Sequence, residues 1–247
     1  MLLEVKNIRK SYPISNGIFT KGKQEVLKDI SFSIEEGECV GIIGESGSGK
    51  STLGRLILGL EKADYGEIKF LEKKECKFFR KKISVVFQDY TSSVNPRFRV
   101  LAIISEPLRQ TKLSKQQRYE KVVTLLEKVG LNEDFIYRFP HELSGGQLQR
   151  VCIARAIATN PKFLLLDEAV SSLDISVQVQ VLDLLKKLKE KEGLSYLFIT
   201  HDLLTVTYLC DKVLFFKEGK IIEKIDKITE LKKVQNEYSK ALLKVYQ

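Results

Sequence analysis

The sequence lacks the features of membrane-spanning and secreted proteins. Its 247 residues contain no uninterrupted apolar run near the roughly 18–20 residues that a bilayer-spanning helix needs. The first residues meet a charge at Glu4 and form no secretory apolar core. We therefore expect a chain that neither spans a membrane nor is secreted. Its 43% hydrophobic and 30% charged residues are typical of a globular protein.

Cysteine is sparse, and its spacing argues against a metal site or a disulfide framework. Cys39, Cys76, Cys152 and Cys210 are far apart in the sequence and form no Cys-x-x-Cys pair, so a zinc site is not expected. We predict reduced thiols, as in a cytoplasmic protein.

Tryptophan is absent, and basic residues outnumber acidic ones by 41 to 32, which gives a net charge of +9. A positive surplus first suggests an anionic partner such as nucleic acid, an anionic membrane or a phosphate-rich ligand. The surplus is spread over segments of mixed sign, without an arginine-rich stripe or a tryptophan on which bases could stack. Nucleic acid is therefore only a minor alternative, and we do not predict it as a partner.

Short apolar runs alternate with longer amphipathic ones, which predicts an α/β protein. We predict strands over 2–8, 25–34, 38–43, 82–87, 163–166, 196–200, 212–216 and 220–225, and helices over 51–60, 114–129, 147–159 and 177–191. Ser114 and Gln117 form a candidate capping box at the start of one helix, and Gly130 is expected to end it.

A glycine-rich segment between a predicted strand and a predicted helix carries the strongest motif. Residues 44–51, Gly-Glu-Ser-Gly-Ser-Gly-Lys-Ser, fit G-x-x-x-x-G-K-[ST] at every fixed position. Glycines let backbone N–H groups surround a phosphate, and the helix that follows directs its positive end toward the same anion. Lys50 is suited to reach the β- and γ-phosphates and Ser51 to bind Mg²⁺. The segment predicts a nucleotide site.

Two acidic residues follow the apolar strand predicted at 163–166. Asp167 at such a position can stand beside a metal ion and Glu168 beside an attacking water. Two acids at a strand end are weak evidence alone and usually belong to a solvated loop. Together with the phosphate-binding loop they indicate nucleotide hydrolysis.

A second glycine pair precedes the helix predicted to follow Leu143. Ser144 and Gln147 fit an ordinary capping box, whereas Gly145 and Gly146 at a helix start also fit a second anion-binding terminus. From local sequence both interpretations stay open.

The complete motif set resembles the ATP-binding subunits of ABC transporters. It comprises the phosphate-binding loop, Leu143–Gln147, Asp167-Glu168, Ser171–Asp174 and a lone His201 after a strand, and its order and spacing match over essentially the whole chain. The resemblance implies a P-loop NTPase core of the ABC type with an N-terminal antiparallel β subdomain and a helical subdomain. Expected limits are about 1–87 and 161–230 for the core, 88–160 for the helical subdomain and 231–247 for a short tail.

The resemblance also implies roles for single residues. Tyr12 would stack on adenine, and nucleotide contacts would come from Gly44, Glu45, Ser46, Gly47, Ser48, Gly49, Lys50, Ser51 and Thr52. Mg²⁺ would be bound by Ser51, Gln88 and Asp167. Glu168 would be the general base, with Gln88 touching the attacking water and His201 the γ-phosphate.

The resemblance also implies a head-to-tail dimer, which would explain two anion-binding segments in one chain. Ser144, Gly145, Gly146 and Gln147 would contact the nucleotide held by the partner, and Asp174 would lie at the dimer seam. No expected catalytic position is substituted, so we expect a hydrolysing ATPase with ATP and Mg²⁺ as its ligands.

Local features resemble the peptide- and nickel-type importer branch. They are Phe87–Asp89 with Ser93–Arg97, Tyr12–Ile14 with Gly17–Phe19, and a tail at Asn236–Leu243 similar to His-Pro-Tyr-Thr-x-x-Leu-Leu, in which Glu237 replaces the proline. Ala169-Val170 after the general base and the short tail resemble the nickel type. The expected cargo is nickel, cobalt or another metal–chelator complex, with oligo- or dipeptides as the alternative.

The branch implies several partners. We expect a heterodimer with a second ATPase subunit, two transmembrane permease subunits, and an extracytoplasmic solute-binding protein in the same system. The chain would be peripheral on the cytoplasmic face of the membrane and would not touch cargo. An export ATPase, a non-transport family member in translation or DNA repair, and a binding module without catalysis are the remaining alternatives.

Overall fold

A computed structural model describes residues 1–16, 19–70 and 82–244, with the backbone alone at 15–16 and 19–21. Gly17 and Ile18 of the predicted insertion, and Cys76, lie outside these residues. The strands are β1 (Leu3–Asn16), β2 (Phe19–Ile34), β3 (Cys39–Ile43), β4 (Tyr65–Phe70), β5 (Ile83–Val86), β6 (Phe163–Asp167), β7 (Ser195–Thr200), β8 (Lys212–Lys217) and β9 (Lys220–Ile225). The helices are α1 (Lys50–Ile57), α2 (Val100–Ser105), α3 (Lys115–Lys128), α4 (Gly145–Ile157), α5 (Ile175–Glu192), α6 (Leu203–Leu209) and α7 (Glu237–Lys244). No helix in the described ranges is long and apolar enough to cross a membrane.

The chain forms two compact units, and the first comprises Met1–Lys77 with Ser195–Gln247. It contains an antiparallel sheet of order β2-β1-β4. Along β1, the alternation of buried apolar residues changes phase at a register shift between Val5 and Ile8, where Asn7 has a φ of 49°. An extra residue at a bulge turns the strand, which is why Val5 and Ile8 are both buried although their spacing is odd.

The first unit also contains strands in the order β7-β3-β8-β9. β3 pairs in parallel with β7 and β8, and β8 turns back antiparallel to β9. Every residue of β3 and β7 is buried, as expected for parallel strands covered on both faces. The phosphate-binding loop leaves the carboxyl end of β3, which is the usual end for ligand sites in such sheets.

The second unit, Phe78–Leu194, contains the parallel pair β5–β6 and the helices α2 to α5. Helix α3 begins with the predicted capping box: Ser114 Oγ accepts the Gln117 N–H at 3.2 Å and Gln117 Oε1 accepts the Ser114 N–H at 2.9 Å. Gly130 follows its end with a φ of 73°. The α/β prediction is confirmed, whereas the predicted subdomain limits remain a prediction.

Candidate functional site

The phosphate-binding loop of the first unit requires glycine at two positions. A Cβ on Gly44 would lie 2.0 Å from the carbonyl oxygen of Phe216, which is backbone and cannot rotate away. Gly49 has a φ of 109°, in a region that other residues rarely adopt. The loop backbone therefore runs close to neighbouring strands in a conformation that side chains would prevent.

Lys50 is the first residue of α1, and its side chain folds back over the loop. Its ammonium group donates to the carbonyl oxygens of Gly44 at 2.8 Å and Glu45 at 2.7 Å, and the residue is only 4% exposed. A buried charge needs partners of this kind, because desolvation otherwise disfavours it. The cation is held at the loop, where it can meet an anion bound to the backbone N–H groups.

The hydroxyl residues of the loop lie in different surroundings. Ser51 is exposed, whereas Thr52 is buried and its Oγ1 accepts a hydrogen bond from Arg55 at 3.1 Å. The Ser48 hydroxyl oxygen is buried and has no hydrogen-bond partner within the described residues. Buried polar atoms are normally paired, so an unpaired one in this loop fits a ligand that supplies the bond.

Tyr12, predicted to stack on adenine, lies on β1 and is half-buried. Its hydroxyl donates to Glu61, whose other carboxylate oxygen is 2.6 Å from Arg55 Nε. Two hydrogen bonds lower the pKa of the Glu61 carboxyl: the one from Tyr12 has the larger effect and the one from Arg55 the next largest. The Lys10 ammonium stands 5.3 Å from the centre of the tyrosine ring. The ring is thus fixed at its hydroxyl end, and sequence reasoning missed Glu61.

His201 is exposed and directly follows β7. The next residue, Asp202, begins α6, because its carboxylate accepts the Leu204 N–H at 2.9 Å. Its own N–H donates to Thr200 Oγ1 at 3.0 Å. One side-chain bond therefore spans the histidine, from residue 202 to residue 200, and a second begins the helix directly after it.

In the second unit, Gln88 and Glu168 meet directly. Gln88 follows β5, and its amide donates to the Glu168 carboxylate at 3.1 Å. Because β5 and β6 are parallel neighbours, their carboxyl ends bring the two side chains to one edge. Asp167 ends β6, and Glu168 has a φ of 47°, a left-handed conformation. The contact orients the carboxylate that the sequence predicts to be the general base.

The two residues after Glu168 are hydrogen-bonded through their carbonyl groups to side chains of α4 and α5. Gln149 is fully buried on α4, and its amide donates to the Ala169 carbonyl at 2.5 Å. Gln178 on α5 donates to the Val170 carbonyl at 3.2 Å. Sequence reasoning missed Gln149; the available signal was a polar residue on the buried face of an apolar helix.

The second glycine pair begins α4, and the predicted capping box is present. Ser144 Oγ accepts the Gln147 N–H at 3.3 Å, and Gln147 Oε1 accepts the Ser144 N–H at 3.0 Å. Accepting this bond leaves the hydroxyl proton available for donation, so a cap and an anion contact are compatible. A Cβ on Gly146 would lie 2.3 Å from Val177 Cγ1, which gives this glycine a packing reason as well.

Comparison with known proteins identifies the family. A family model described as ABC transporter matches residues 27–171. The chain is 45% identical over 247 residues to the metal-staphylopine import system ATP-binding protein CntF of Staphylococcus aureus, covering 98% of both chains. The chain belongs to the ABC transporter family.

Further relatives and a solved structure agree with this ABC assignment. The nickel import ATP-binding protein NikE of Rhodospirillum rubrum is 44% identical over 98% of this chain and 90% of its own length. The oligopeptide transport ATP-binding protein OppF of Streptococcus mutans is 47% identical over 90% of this chain and 74% of its own length. A dimeric post-hydrolysis state of the ATP-binding cassette MJ0796 with ADP and Pi has a TM-score of 0.78, with 32% identity over 92% of this chain and 99% of that chain. The fold is that of an ABC ATPase.

Within this ABC ATPase, each unit carries its own part of the predicted residue set. Tyr12, the loop 44–52 and His201 belong to the first unit, and Gln88, Ser144–Gln147, Asp167, Glu168 and Asp174 belong to the second. Asp174 is exposed at the start of α5 and makes no side-chain cap bond with the described residues there.

The described cysteines Cys39, Cys152 and Cys210 form no disulfide, although the Cys39 and Cys210 sulfur atoms are 3.4 Å apart.

Proposed function

We propose that this chain is the ATP-hydrolysing subunit of an importer for nickel, cobalt or another metal–chelator complex, peripheral on the cytoplasmic face of the membrane. The observation that carries the proposal is an intact phosphate-binding loop, with Lys50 bound to its own loop carbonyls, in a chain matched over nearly its whole length by metal import ATP-binding proteins. The second ATPase subunit, two permease subunits and an extracytoplasmic solute-binding protein complete the proposed system.

The proposed nucleotide contacts rest on the chemistry of the loop. Lys50, the N-terminus of α1 and the backbone N–H groups of 44–52 bind the phosphates, except the N–H of Glu45, which donates to the Tyr238 hydroxyl. Tyr12 contacts adenine. Ser51, Gln88 and Asp167 offer the oxygen ligands that Mg²⁺ prefers, and such sites use few protein ligands because phosphates supply others. Mg²⁺ would neutralise charge on the phosphate oxygens. Glu168, oriented by Gln88, takes the proton from the attacking water, and His201 contacts the γ-phosphate.

The general-base assignment is tested by Glu168→Gln. This change keeps the size of the side chain and removes its basicity, so we expect ATP binding to persist and turnover to fall by roughly 10²–10⁴-fold. Fluorescent-nucleotide titration and phosphate release measure the two properties. Glu36→Gln, in the turn before β3, is the matched control and should retain activity. Turnover within a few-fold of wild type in Glu168→Gln would remove Glu168 as the base.

The proposed head-to-tail dimer is tested at Ser144, and the chain supplies a matched control. Ser114 and Ser144 each form a capping box of the same geometry, so replacing either by alanine should cost about 1 kcal/mol of helix stability. Only Ser144→Ala should also slow turnover of the nucleotide held by the partner subunit. We would measure this in a heterodimer whose partner alone can hydrolyse ATP. An effect restricted to the chain's own nucleotide would contradict the arrangement.

A basic groove in the second unit is the proposed contact for a permease subunit. The groove has a volume of about 740 Å³, and its cationic lining consists of Arg97, Arg99, Arg109, Lys115 and Arg118. Among the described residues, no Asp or Glu lines it. An acidic permease segment would complement this charge. Arg109→Glu should weaken co-purification with the permease subunits, while Lys220→Glu, on an exposed strand position of the other unit, should not.

The cargo is proposed from the branch, because an ATPase of this kind does not touch what is transported. Metal–chelator import is favoured by the metal-staphylopine and nickel relatives and by Ala169-Val170 after the general base. Oligopeptide import is the second candidate, supported by the match to an oligopeptide transport protein. Uptake of labelled nickel, cobalt, metal chelates and peptides in cells with and without this chain separates them: loss of peptide uptake alone would favour the second candidate.

A further inference from the structure

The C-terminal tail is fixed to the first unit. The Glu223 carboxylate on β9 accepts the N–H groups of Gln235 at 2.6 Å and Asn236 at 3.3 Å. Asn236 Oδ1 in turn accepts the Tyr238 N–H at 2.9 Å, which starts α7. Ser239 is completely buried. Helix α7 therefore has a defined position within the first unit, set by several contacts.

From this helix, Tyr238 reaches the phosphate-binding loop. Its hydroxyl oxygen accepts the backbone N–H of Glu45 at 3.1 Å, across 193 positions of sequence. The Lys217 ammonium stands 4.8 Å from the centre of the tyrosine ring. Burial raises the pKa of Tyr238, so the phenol is neutral and keeps its proton at physiological pH. The contact is a neutral hydrogen bond to the second residue of the loop, held by a ring that packs under a cation.

A further backbone contact fixes the loop three residues later. The Gly219 N–H, in the turn between β8 and β9, donates to the Ser48 carbonyl at 3.0 Å, and the Gly219 carbonyl accepts the Lys28 N–H at 2.7 Å. The loop is thus held at Glu45 by the tail and at Ser48 by the hairpin turn. A loop that binds phosphate through its backbone N–H groups gains affinity when its conformation is fixed beforehand.

We infer that Tyr238 is a positioning residue for the phosphate-binding loop and that it couples helix α7 to nucleotide binding. The inference rests on the proposed function, in which this loop binds ATP. Removing the hydroxyl frees the Glu45 end of the loop, and ATP must then order it on binding. The loss of one neutral hydrogen bond corresponds to a change of roughly 2- to 10-fold in an equilibrium constant. Coupling is reciprocal, so ATP must also stabilise α7.

The test is Tyr238→Phe in the full-length protein, which removes one oxygen and keeps the ring over which Lys217 stands. Tyr65→Phe is the matched control, because Tyr65 is an exposed tyrosine of the same unit whose ring also faces a cation, Arg9 at 5.9 Å. We expect the Kd and KM for ATP to rise roughly 2- to 10-fold in Tyr238→Phe, with kcat unchanged and the Tm lowered by no more than a few °C. Lys217→Met, which leaves the hydroxyl in place, should shift the Kd in the same direction by less.

Hydrogen exchange of residues 237–244, with and without ATP, tests the coupling. ATP should slow exchange in α7 of the wild type and of Tyr65→Phe, and this protection should shrink in Tyr238→Phe. An unchanged Kd would overturn the positioning role. So would a Kd increase accompanied by a lower kcat and by a fall in Tm larger than one hydrogen bond explains. Equal protection of α7 in all three proteins would overturn the coupling. A wild type that fails to bind ATP would instead overturn the proposed function itself.

Discussion

Gly146, at the start of α4, should not tolerate even a methyl group, although alanine is the better helix former. A Cβ at this position would lie 2.3 Å from Val177 Cγ1, more than 1 Å inside the ordinary contact distance of about 3.5–4.0 Å. Valine in a helix strongly prefers one side-chain rotamer, so Val177, near the start of α5, cannot turn away without cost. The two helix starts must separate, or Val177 must adopt a strained rotamer.

The expected magnitude for Gly146→Ala follows from two opposing terms. Replacing a helical glycine by alanine gains up to about 1 kcal/mol of helix propensity. Overpacking typically costs about 1–3 kcal/mol, and an overlap this short belongs at the upper end of that range. We expect a net loss of about 1–2 kcal/mol in the free energy of unfolding, or a Tm lowered by roughly 2–8 °C.

A double-mutant cycle with Val177→Ala isolates the contact. If the overlap is the cause, the double variant should be more stable than the sum of the single changes by at least about 1 kcal/mol. Chemical denaturation followed by circular dichroism measures all four proteins. Gly145→Ala is the control, because the one close approach of its Cβ would be to the hydroxyl end of the Tyr90 side chain, at 2.7 Å, while Leu173 Cδ2 lies at an ordinary 3.7 Å. A Gly146→Ala protein as stable as wild type, or a coupling below about 0.5 kcal/mol, would refute the steric argument.

Three further predictions concern buried groups. Gln149→Leu leaves the Ala169 carbonyl without its partner and should lower the free energy of unfolding by about 1–3 kcal/mol; denaturation equal to wild type would contradict the role given to this amide. Gly44→Ala forces a methyl group against the Phe216 carbonyl and should lower the Tm, so a wild-type melting curve would show that the loop is not so closely packed. Burial raises the pKa of the Cys152 thiol, and the thiolate is the form that reacts with alkylating agents. Alkylation should therefore be slow near neutral pH and become faster only above pH 8.5, which is about the pKa of an ordinary cysteine. Mass spectrometry at several pH values measures this, and rapid labelling of folded protein at pH 7 would be the contrary result.

The sequence predicted those features whose causes are local. The phosphate-binding loop, both capping boxes and the buried strands depend on residues within a few positions of one another. β1 was predicted to end at residue 8 but continues to Asn16, because its pairing with β2 extends beyond the bulge at Asn7 and includes polar positions. β4 was not predicted, because its residues are exposed or half-buried and do not alternate clearly.

Contacts between distant segments could not be predicted in this way. The Tyr238–Glu45 bond and the approach of Phe216 to Gly44 each join residues far apart in the chain. The sequence shows a glycine at position 44 but not why a larger residue would not fit there. The reason is a strand residue 172 positions later, Phe216, whose carbonyl lies where a Cβ would be. Alternatives at Ser144 stayed open for the same reason, and the capping geometry now makes its two roles compatible.

The left-handed backbone at Glu168 has a consequence for engineering this chain. A residue other than glycine in that conformation costs roughly 1–2 kcal/mol, so the proposed base lies at a position that favours glycine on conformational grounds alone. Selection of variants for thermal stability, without selection for turnover, should therefore enrich glycine or asparagine at 168 and yield well-folded, inactive proteins. Stability and hydrolysis would then be optimised by different residues at the same position.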